Sequence, residues 1–526
     1  MVREVIVIGA GFGGLSAACL LAKHGLRPLL VEAAAVPGGC ASSYLIKRGG
    51  KKFLFEAGAT TIVGLDPHQP LRHLADALEV QFPVVEINPA MMVHIGSKKV
   101  VRYKDRRRWV EECYQKFFAG TSCTFEQVRA FWTLIFELSD FVWLVAERNR
   151  AFPPRTLQDV WELYQQNPLS DFPKLRYLFQ TTLSTIQHYG LDKSPNFVRF
   201  CNEQLMITAQ ATADKVALLY AAPCLAYTNS SNYYAYGGML AMAETLVEKY
   251  KQMGGEILYR TRITRLEQDK HRNYVLWTDK GERFMAKTIV SNATIWDMAD
   301  LAQGRLKPFF ERLTRKFAFG WGAVTMSIAV ENTLPDDLAL HHQIILDESI
   351  PHCKSNSFFV SLSMPDDVKR QPEGTRLLAI STHTQPEIWL SPECYAEKKA
   401  DVETFLLEKL EQHLPGFQRE KILFKTVSTP KSWQEWVYRK QGRVGGIPNT
   451  LEKSIFELQG AETDFEGLYL VGDTVYPGQG IAGVTLSGQN AVHRILQRMP
   501  APVRQTSYLG ALKEGALSSE SLPVAR

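Results

Sequence analysis

Residues 4–25 read EVIVIGAGFGGLSAACLLAKHG, and their pattern predicts a strand, a glycine loop and a helix in that order. Its apolar start predicts a buried strand, and its small and apolar second half predicts a helix. Between them, Gly9, Gly11 and Gly14 fill a G-x-G-x-x-G pattern. The first glycine permits a tight turn, the second lets a phosphate approach the backbone, and the third lets helix and strand pack closely. The N–H groups at the helix start would then face the pyrophosphate of a dinucleotide.

A second predicted strand, RPLLVE, ends at Glu32, eighteen residues after Gly14 (32 − 14). A carboxylate at this spacing accepts hydrogen bonds from the ribose of an adenine dinucleotide. It would repel the 2′-phosphate of NADP, so NAD and FAD remain. A second glycine pair, Gly38-Gly39, follows, and then a turn at Arg48 and a strand ending in Gly58-Ala59. NAD needs no such extension, so the larger cofactor is favoured; a purely structural glycine turn is the alternative.

Length and composition limit the other possibilities. A chain of 526 residues predicts two or more domains, and 45% hydrophobic with 22% charged residues is typical of a globular protein. The net charge of +5 is compatible with a protein that contacts anionic lipid and with an ordinary soluble enzyme. The sequence contains no recognisable nucleic-acid-binding module.

The spacing of the cysteines and the N-terminal residues indicate the cellular compartment. None of the eight cysteines forms a CxxC pair, so neither a zinc site nor a dithiol centre is expected. Scattered thiols are typical of a cytoplasmic protein, and the N-terminus runs into a strand without a signal-peptide pattern. No apolar run is long enough for a membrane-spanning helix.

A second glycine-rich stretch lies near the C-terminus. Residues 468–491 read LYLVGDTVYPGQGIAGVTLSGQNA, which predicts a strand, a loop and a helix. Asp473 stands where the strand becomes the loop. Turn glycines with a capping aspartate are the alternative explanation of this stretch.

Together, VIGAGFGGL, LLVEAAAVPGG, FEAGAT and the C-terminal stretch resemble the phytoene desaturase-type flavoproteins, which include carotenoid desaturases and carotenoid cis–trans isomerases. The resemblance implies an α/β fold: a split Rossmann-like FAD-binding domain with an inserted α+β substrate domain, related to the amine oxidases. It also implies the FAD-binding residues Gly9, Gly11, Gly14, Glu32, Gly38, Gly39, Arg48, Gly58, Ala59, Ile263, Gly472, Asp473, Gly480 and Ile481.

Within this set the resemblance gives three residues particular roles. The backbone at Ile263 would meet the adenine, and Asp473 would hydrogen-bond the ribityl chain. The helix after Gly480 would point its positive end at the flavin N1–C2=O edge and raise the reduction potential. Two departures stand out: Cys40 occupies a position where many family desaturases carry a basic residue, and Tyr236 replaces part of a Tyr-Pro pair. With the PGQG loop, Cys40 is closer to the isomerase branch and to the desaturases of end-group-modified carotenoids.

The resemblance predicts a chain order of parts. Residues 1–100, 231–300 and 441–500 would form the FAD-binding domain, 101–230 a helical substrate and membrane-contact region, 301–440 the substrate sheet, and 501–526 a mobile tail. Arg106 to Arg108 and the aromatic residues of 131–146 would form a peripheral membrane surface. A core helix is the alternative for 131–146.

Residues 318–430 contain apolar segments that predict strands over the flavin, including FGWGAVTMSIAVE and SNSFFVSLSMP. His341, His342 and His383 lie there as candidate acids or bases, or as ordinary core residues. Trp433, Trp436 and Arg443 either line a tunnel or are structural. No metal-ligand spacing, catalytic triad or carboxylate pair is found, and no catalytic side chain is assigned.

The sequence therefore predicts an FAD-dependent oxidoreductase that desaturates a long carotenoid polyene by hydride transfer to flavin N5. The alternatives are a carotenoid cis–trans isomerase without net redox change, a retinol saturase-like or amine oxidase-like flavoenzyme, and a non-enzymatic prenyl-binding escort protein. A peripheral membrane location in the cytoplasm is expected, and no electron acceptor is identified.

Overall fold

The computed structural model describes residues 2–453 and 457–499, so the predicted tail 501–526 lies outside the described residues. The strands are β1 (Val2–Ile8), β2 (Leu29–Val31), β3 (Ser43–Arg48), β4 (Lys51–Glu56), β5 (Val84–Ile87), β6 (Met91–Ile95), β7 (Lys98–Arg102), β8 (Asn232–Ala235), β9 (Glu256–Leu258), β10 (Ile263–Gln268), β11 (Tyr274–Thr278), β12 (Arg283–Ser291), β13 (Gly322–Glu331), β14 (His341–Ile345), β15 (Ser357–Leu362), β16 (Thr375–Thr384), β17 (Ile422–Ser428) and β18 (Leu468–Leu470). The helices are α1 (Phe12–Lys23), α2 (Pro70–Leu78), α3 (Arg106–Phe117), α4 (Phe125–Arg148), α5 (Leu157–Gln166), α6 (Thr182–His188), α7 (Pro195–Ala209), α8 (Leu218–Ala226), α9 (Gly238–Gln252), α10 (Ile295–Leu301), α11 (Lys307–Lys316), α12 (Glu387–Leu390), α13 (Tyr395–His413), α14 (Pro430–Trp436) and α15 (Ile481–Gln497).

The first sheet brings distant parts of the chain together. Its order is β10-β11-β12-β1-β2-β9, and β18 pairs with β12. The pairings of β12 with β1 and with β18 are parallel, as is that of β1 with β2. Helices α1, α9 and α15 pack on one face of this sheet around a common apolar core. The predicted split Rossmann-like arrangement is therefore confirmed.

The second sheet has the order β17-β13-β16-β15-β14-β6-β7. The strands predicted from 319–331 and from the segment before Met364 are confirmed as β13 and β15. The expected boundary at residue 100 falls inside this sheet, because β6 pairs in parallel with β14. We therefore propose that the substrate-binding part of the chain begins before Met91.

The predicted membrane surface is wrong in its location. Phe131, Trp132 and Phe141 on α4 are buried among the residues of the helical core, so their rings cannot reach lipid. Of the nearby cations, Arg106 is engaged in hydrogen bonds of 2.8 and 2.6 Å to Asp140. The core-helix alternative is correct for this segment. Among the described residues, no helix combines the length and the apolar character that crossing a membrane requires.

A group of buried histidines lies where the second sheet joins β6 to β14. The Nε2 atom of His94 lies 3.0 Å from Nδ1 of His342. Burial, followed by the charge of His342, lowers the pKa of His94 to about 3. Burial also lowers the pKa of His342 to about 4 and that of neighbouring His341 to about 3. These imidazoles are therefore neutral in the folded protein at neutral pH.

Their neutrality predicts a pH-dependent stability. In the unfolded chain these imidazoles bind protons below about pH 6.5, whereas in the folded protein they stay neutral to about pH 4. The free energy of unfolding should therefore fall as the pH drops from about 6.5 towards 4, by up to about 1.4 kcal/mol per pH unit for each imidazole. Denaturant titrations at several pH values in this range should show that the free energy of unfolding depends less steeply on pH in His94→Gln than in the wild type.

The exposed His271 provides the control, because its ring is accessible in both states. His271→Gln should keep the wild-type slope. A slope in His94→Gln as steep as that of the wild type would contradict the burial argument.

Candidate functional site

The loop between β1 and α1 is fixed by close backbone contacts. The N–H of Gly9 donates to the carbonyl of Val31 at 2.7 Å, with φ of +91° at Gly9. A Cβ at Gly14 would collide with the carbonyl oxygen of Gly9, which is the close helix–strand packing expected of the third glycine. A Cβ at Gly11 would lie 2.5 Å from Nδ2 of Asn292. No side chain caps the start of α1 at Gly11, so the N–H groups of its first turn can face a ligand.

Glu32 lies at the end of β2, beside this loop. Its Oε2 accepts the N–H of Ala10 at 2.6 Å, and its Oε1 accepts that of Ala34 at 2.7 Å. Burial raises the pKa of this carboxyl, and the backbone N–H groups of Ala34 and Ala10 oppose the rise. Glu32 is thus a buried acceptor next to the glycine loop, where a ribose hydroxyl would need one.

One large cavity, about 640 Å³ in volume, runs past both features. All but two of the residues assigned to FAD from the sequence line it: Gly9, Gly11, Glu32, Gly38, Gly39, Gly58, Ala59, Ile263, Gly472, Asp473, Gly480 and Ile481. Gly14 lies behind the loop, as its packing role requires. The chain therefore gathers its first, middle and last segments around a single cavity.

The prediction that Arg48 contacts the cofactor is wrong. It lies at the exposed tip of the β3–β4 hairpin, where it pairs with Lys51, and it does not line the cavity. Its guanidinium lies over the ring of Phe424 instead, 5.8 Å from the ring centre. The hairpin directs its tip away from the cofactor cavity, and the basic turn that suggested a cofactor contact is a surface feature.

The C-terminal loop approaches the same cavity from the other side. Gly480 is the residue before α15, with φ of +84°, and a Cβ there would meet nothing within 4 Å. The start of α15 is therefore open to the cavity, where its positive end can face a polar ring edge. Asp473 is already engaged, because its Oδ2 lies 2.7 Å from Nη2 of Arg439.

Several lining residues were not found from the sequence. Arg439 lies in a segment without periodicity, and Asn292 is an unremarkable polar residue directly after β12. Gln210 has φ of +63°, and its Nε2 lies 3.2 Å from Nε2 of His383 and 3.1 Å from Oε1 of Gln479. A non-glycine residue in this backbone region is a frequent mark of a functional site. Only the positive φ, which sequence does not reveal, distinguishes it.

The charges in the cavity are segregated. Its charged lining residues are Glu32, Arg262, Asp297, Asp300, Arg439 and Asp473. The lining residues described on α4, α7, α8 and β13–β16 include no Asp, Glu, Lys or Arg. His383 lies in that part, and burial lowers its pKa to about 4, so it is neutral at pH 7. One region therefore suits a charged dinucleotide and the other suits an uncharged apolar molecule.

Of the three residues considered for a tunnel lining, Trp433, Trp436 and Arg443, only the first lines the cavity. Trp433 lines the cavity, and a Cβ at Gly58 would lie 2.6 Å from its ring. Trp436 is exposed, and Arg443 stacks on Trp296 outside the lining. Among the described residues, no group of histidine, cysteine or carboxylate side chains could hold a metal ion.

FAD fits this site on structural grounds. An acidic acceptor, a glycine cradle and an open helix start follow one another along one cavity. We propose that Glu32 takes the ribose, the Gly9–Gly14 loop the pyrophosphate, and the Gly480 end of α15 the flavin ring.

Comparisons with known proteins agree with this geometry. The sequence profile described as flavin containing amine oxidoreductase matches residues 12–496. A chloroplastic prolycopene isomerase of Arabidopsis thaliana is 28% identical over 94% of this chain and 82% of its own. A lycopene-forming phytoene desaturase of Pantoea ananas is 22% identical, covering 94% and 99%. The crystal structure of an oxidoreductase from Methanosarcina mazei superimposes with a TM-score of 0.58, 17% identity and coverage of 94% and 100%.

The position of Glu32 gives a test of the site. Glu32→Arg replaces a buried acceptor with a bulky cation, so affinity for FAD should fall roughly ten- to a hundredfold. The measurement is the FAD dissociation constant of the stripped protein, followed by flavin fluorescence. Glu282→Arg, at the exposed turn before β12, is the control and should bind FAD like the wild type. An unchanged affinity of Glu32→Arg for FAD would show that Glu32 does not contact the cofactor.

Proposed function

The chain belongs to the family of flavin-containing amine oxidoreductases, and we propose that it isomerises cis double bonds in a long carotenoid polyene. It is an enzyme of the oxidoreductase type with FAD as cofactor. The observation that carries the proposed substrate class is the charge segregation of the cavity. A hydrocarbon chain needs no ion partner, whereas an ammonium group buried in this part of the cavity would lack one.

The isomerase rather than the desaturase is favoured by the comparison with known proteins. The relative at 28% identity is a prolycopene isomerase, whereas the PGQG loop with Cys40 resembles both the isomerase branch and the desaturases of end-group-modified carotenoids. The phytoene desaturase relative keeps desaturation as the second candidate. The escort alternative is not favoured, because both glycine-rich stretches keep the residues that line the cavity.

The residues around the apolar part of the cavity would act mainly by position. Tyr220, Pro223 and Phe359 would exclude water from a polyene and restrict its orientation. FAD, when bound, supplies a group that can accept electrons from the polyene or return electrons to it. Nε2 of Gln210 lies 3.2 Å from Nε2 of His383, and burial keeps this imidazole neutral at pH 7 by lowering its pKa to about 4. Gln210 and Gln479 in turn fix the loop before α15, where the flavin ring would lie.

The test is product identity. The FAD-loaded protein is incubated without oxygen with prolycopene or with phytoene, either with reduced flavin or with oxidised flavin and a quinone as electron acceptor, and products are resolved by mass and retention time. We expect prolycopene to give an isomer of unchanged mass and phytoene to remain intact. Loss of hydrogen from phytoene would replace isomerisation by desaturation. Conversion of neither compound, with the FAD oxidised or reduced, would contradict a carotenoid function.

We also propose that the protein takes this substrate from a membrane, through a surface other than the one predicted. Residues 157–179, called here the 157–179 surface, include several exposed apolar residues, with exposures of 89% at Leu157, 57% at Trp161 and 76% at Phe179. Basic residues border it, among them Arg176. An exposed apolar area with basic neighbours favours a lipid interface.

The 157–179 surface follows, along the chain, a helix that lines the cavity. Helix α4 contributes Val142, Trp143 and Ala146 to the lining, and the chain then continues into the surface. The ring of Phe152 lies 4.6 Å from that of Tyr476, which also lines the cavity. We infer that a polyene leaving lipid at this surface enters the cavity through this part of the chain.

The double variant Trp161→Ala/Phe179→Ala tests this surface. It should bind vesicles containing anionic lipid about tenfold or more weakly in flotation assays, because two exposed rings are lost without disturbing the core. Trp436→Ala removes an aromatic ring with 77% exposure on α14 and should leave vesicle binding unchanged. Equal flotation of the double variant and the wild type would exclude this surface.

A further inference from the structure

Arg439 is the buried cation of the cavity wall. Its side chain is 14% exposed, and its Nη2 lies 2.7 Å from Oδ2 of Asp473. Its Nε donates to the carbonyl of Arg443 at 2.6 Å. Both the charge and the direction of the guanidinium are therefore fixed by the protein before any ligand binds.

The contacts of Arg439 place it at the glycine loop. Asp473 follows Gly472, and the N atom of Gly472 is 3.0 Å from the position that a Cβ of Gly13 would take. On its other side Arg439 lies beside Cys40, whose pKa is raised by burial and lowered by the charge and hydrogen bonding of Arg439. Cys40 follows Gly39, where a Cβ would lie 3.5 Å from the Cα of Gly11. Arg439 thus lies where three glycine-containing segments converge.

The charge balance of the cavity requires a cation at this place. The charged lining residues include four carboxylates, Glu32, Asp297, Asp300 and Asp473, and two cations, Arg262 and Arg439. Arg262 is exposed and lies over the ring of Tyr438. A buried dianion next to these carboxylates would be costly without a partner. Of the two lining cations, Arg439 is the one buried beside the glycine loop.

We propose that Arg439 binds the pyrophosphate of FAD and supplies, from a segment remote in sequence, the positive charge that the glycine loop lacks. The planar guanidinium suits two phosphate oxygens at once, and Asp473 holds it in place. This role concerns the cofactor site alone and is independent of which polyene the enzyme converts.

The central test compares Arg439→Gln with Arg443→Gln in the stripped full-length protein. Arg439→Gln keeps a hydrogen-bonding side chain but loses the charge, so FAD and ADP should each bind roughly ten- to a hundredfold more weakly. Adenosine, which has no phosphate, should compete for the site equally well in both variants and the wild type. Arg443→Gln, a matched change outside the cavity lining, should keep the wild-type affinity for FAD.

A charge swap gives an independent readout. Because Cys40 lies beside Arg439, Cys40→Arg in the Arg439→Gln background should restore at least tenfold of the lost FAD affinity. Thermal melting of each stripped variant checks the fold. If Arg439→Gln melts at a lower temperature than the wild type, Arg439→Lys, which keeps the charge, replaces it. Arg439→Lys should bind FAD less tightly than the wild type, and its affinity for FAD should rise as the salt concentration falls. Wild-type ADP affinity in Arg439→Gln, or an equal loss for adenosine, would overturn the proposal.

Discussion

The side chain of Asn292 occupies space that three glycines leave open, and the cofactor cavity depends on this arrangement. A Cβ at Gly11, Gly13 or Gly472 would approach Asn292 to between 2.5 and 3.0 Å. The N–H of Asn292 in turn donates to the carbonyl of Ile8 at the end of β1. One side chain at the end of β12 therefore sets the spacing of the first and last loops. Such close backbone approach is available only to glycine.

The parallel pairing of β12 with β1 and β18 explains why the cofactor site uses both ends of the chain. The carboxyl ends of these strands lie at one edge of the sheet, where ligands of such folds bind. Charged residues gather at this edge, whereas α4, α8 and the second sheet contribute uncharged residues to the rest of the cavity. The fold thus separates a site for a charged cofactor from a site for an apolar substrate.

The parts predictable from sequence are those carried by local pattern. Glycine spacing and the position of Glu32 after β2 depend on a few adjacent residues, and both were placed at the cavity. Arg439 could not be found in this way, since only tertiary contacts bring it to Cys40 and Asp473. The aromatic residues of α4 were misplaced because a core helix and an interfacial helix share one apolar pattern, and only burial distinguishes them. Arg48 was misplaced because sequence does not show the direction of a hairpin.

We propose that one FAD is held jointly by the first and last glycine-rich stretches. Hydrogen–deuterium exchange of the stripped and FAD-loaded protein tests this joint binding, because amides that face the cofactor become protected. We expect FAD to slow exchange both in residues 9–14 and in residues 472–483. Protection confined to one of the two stretches would contradict it.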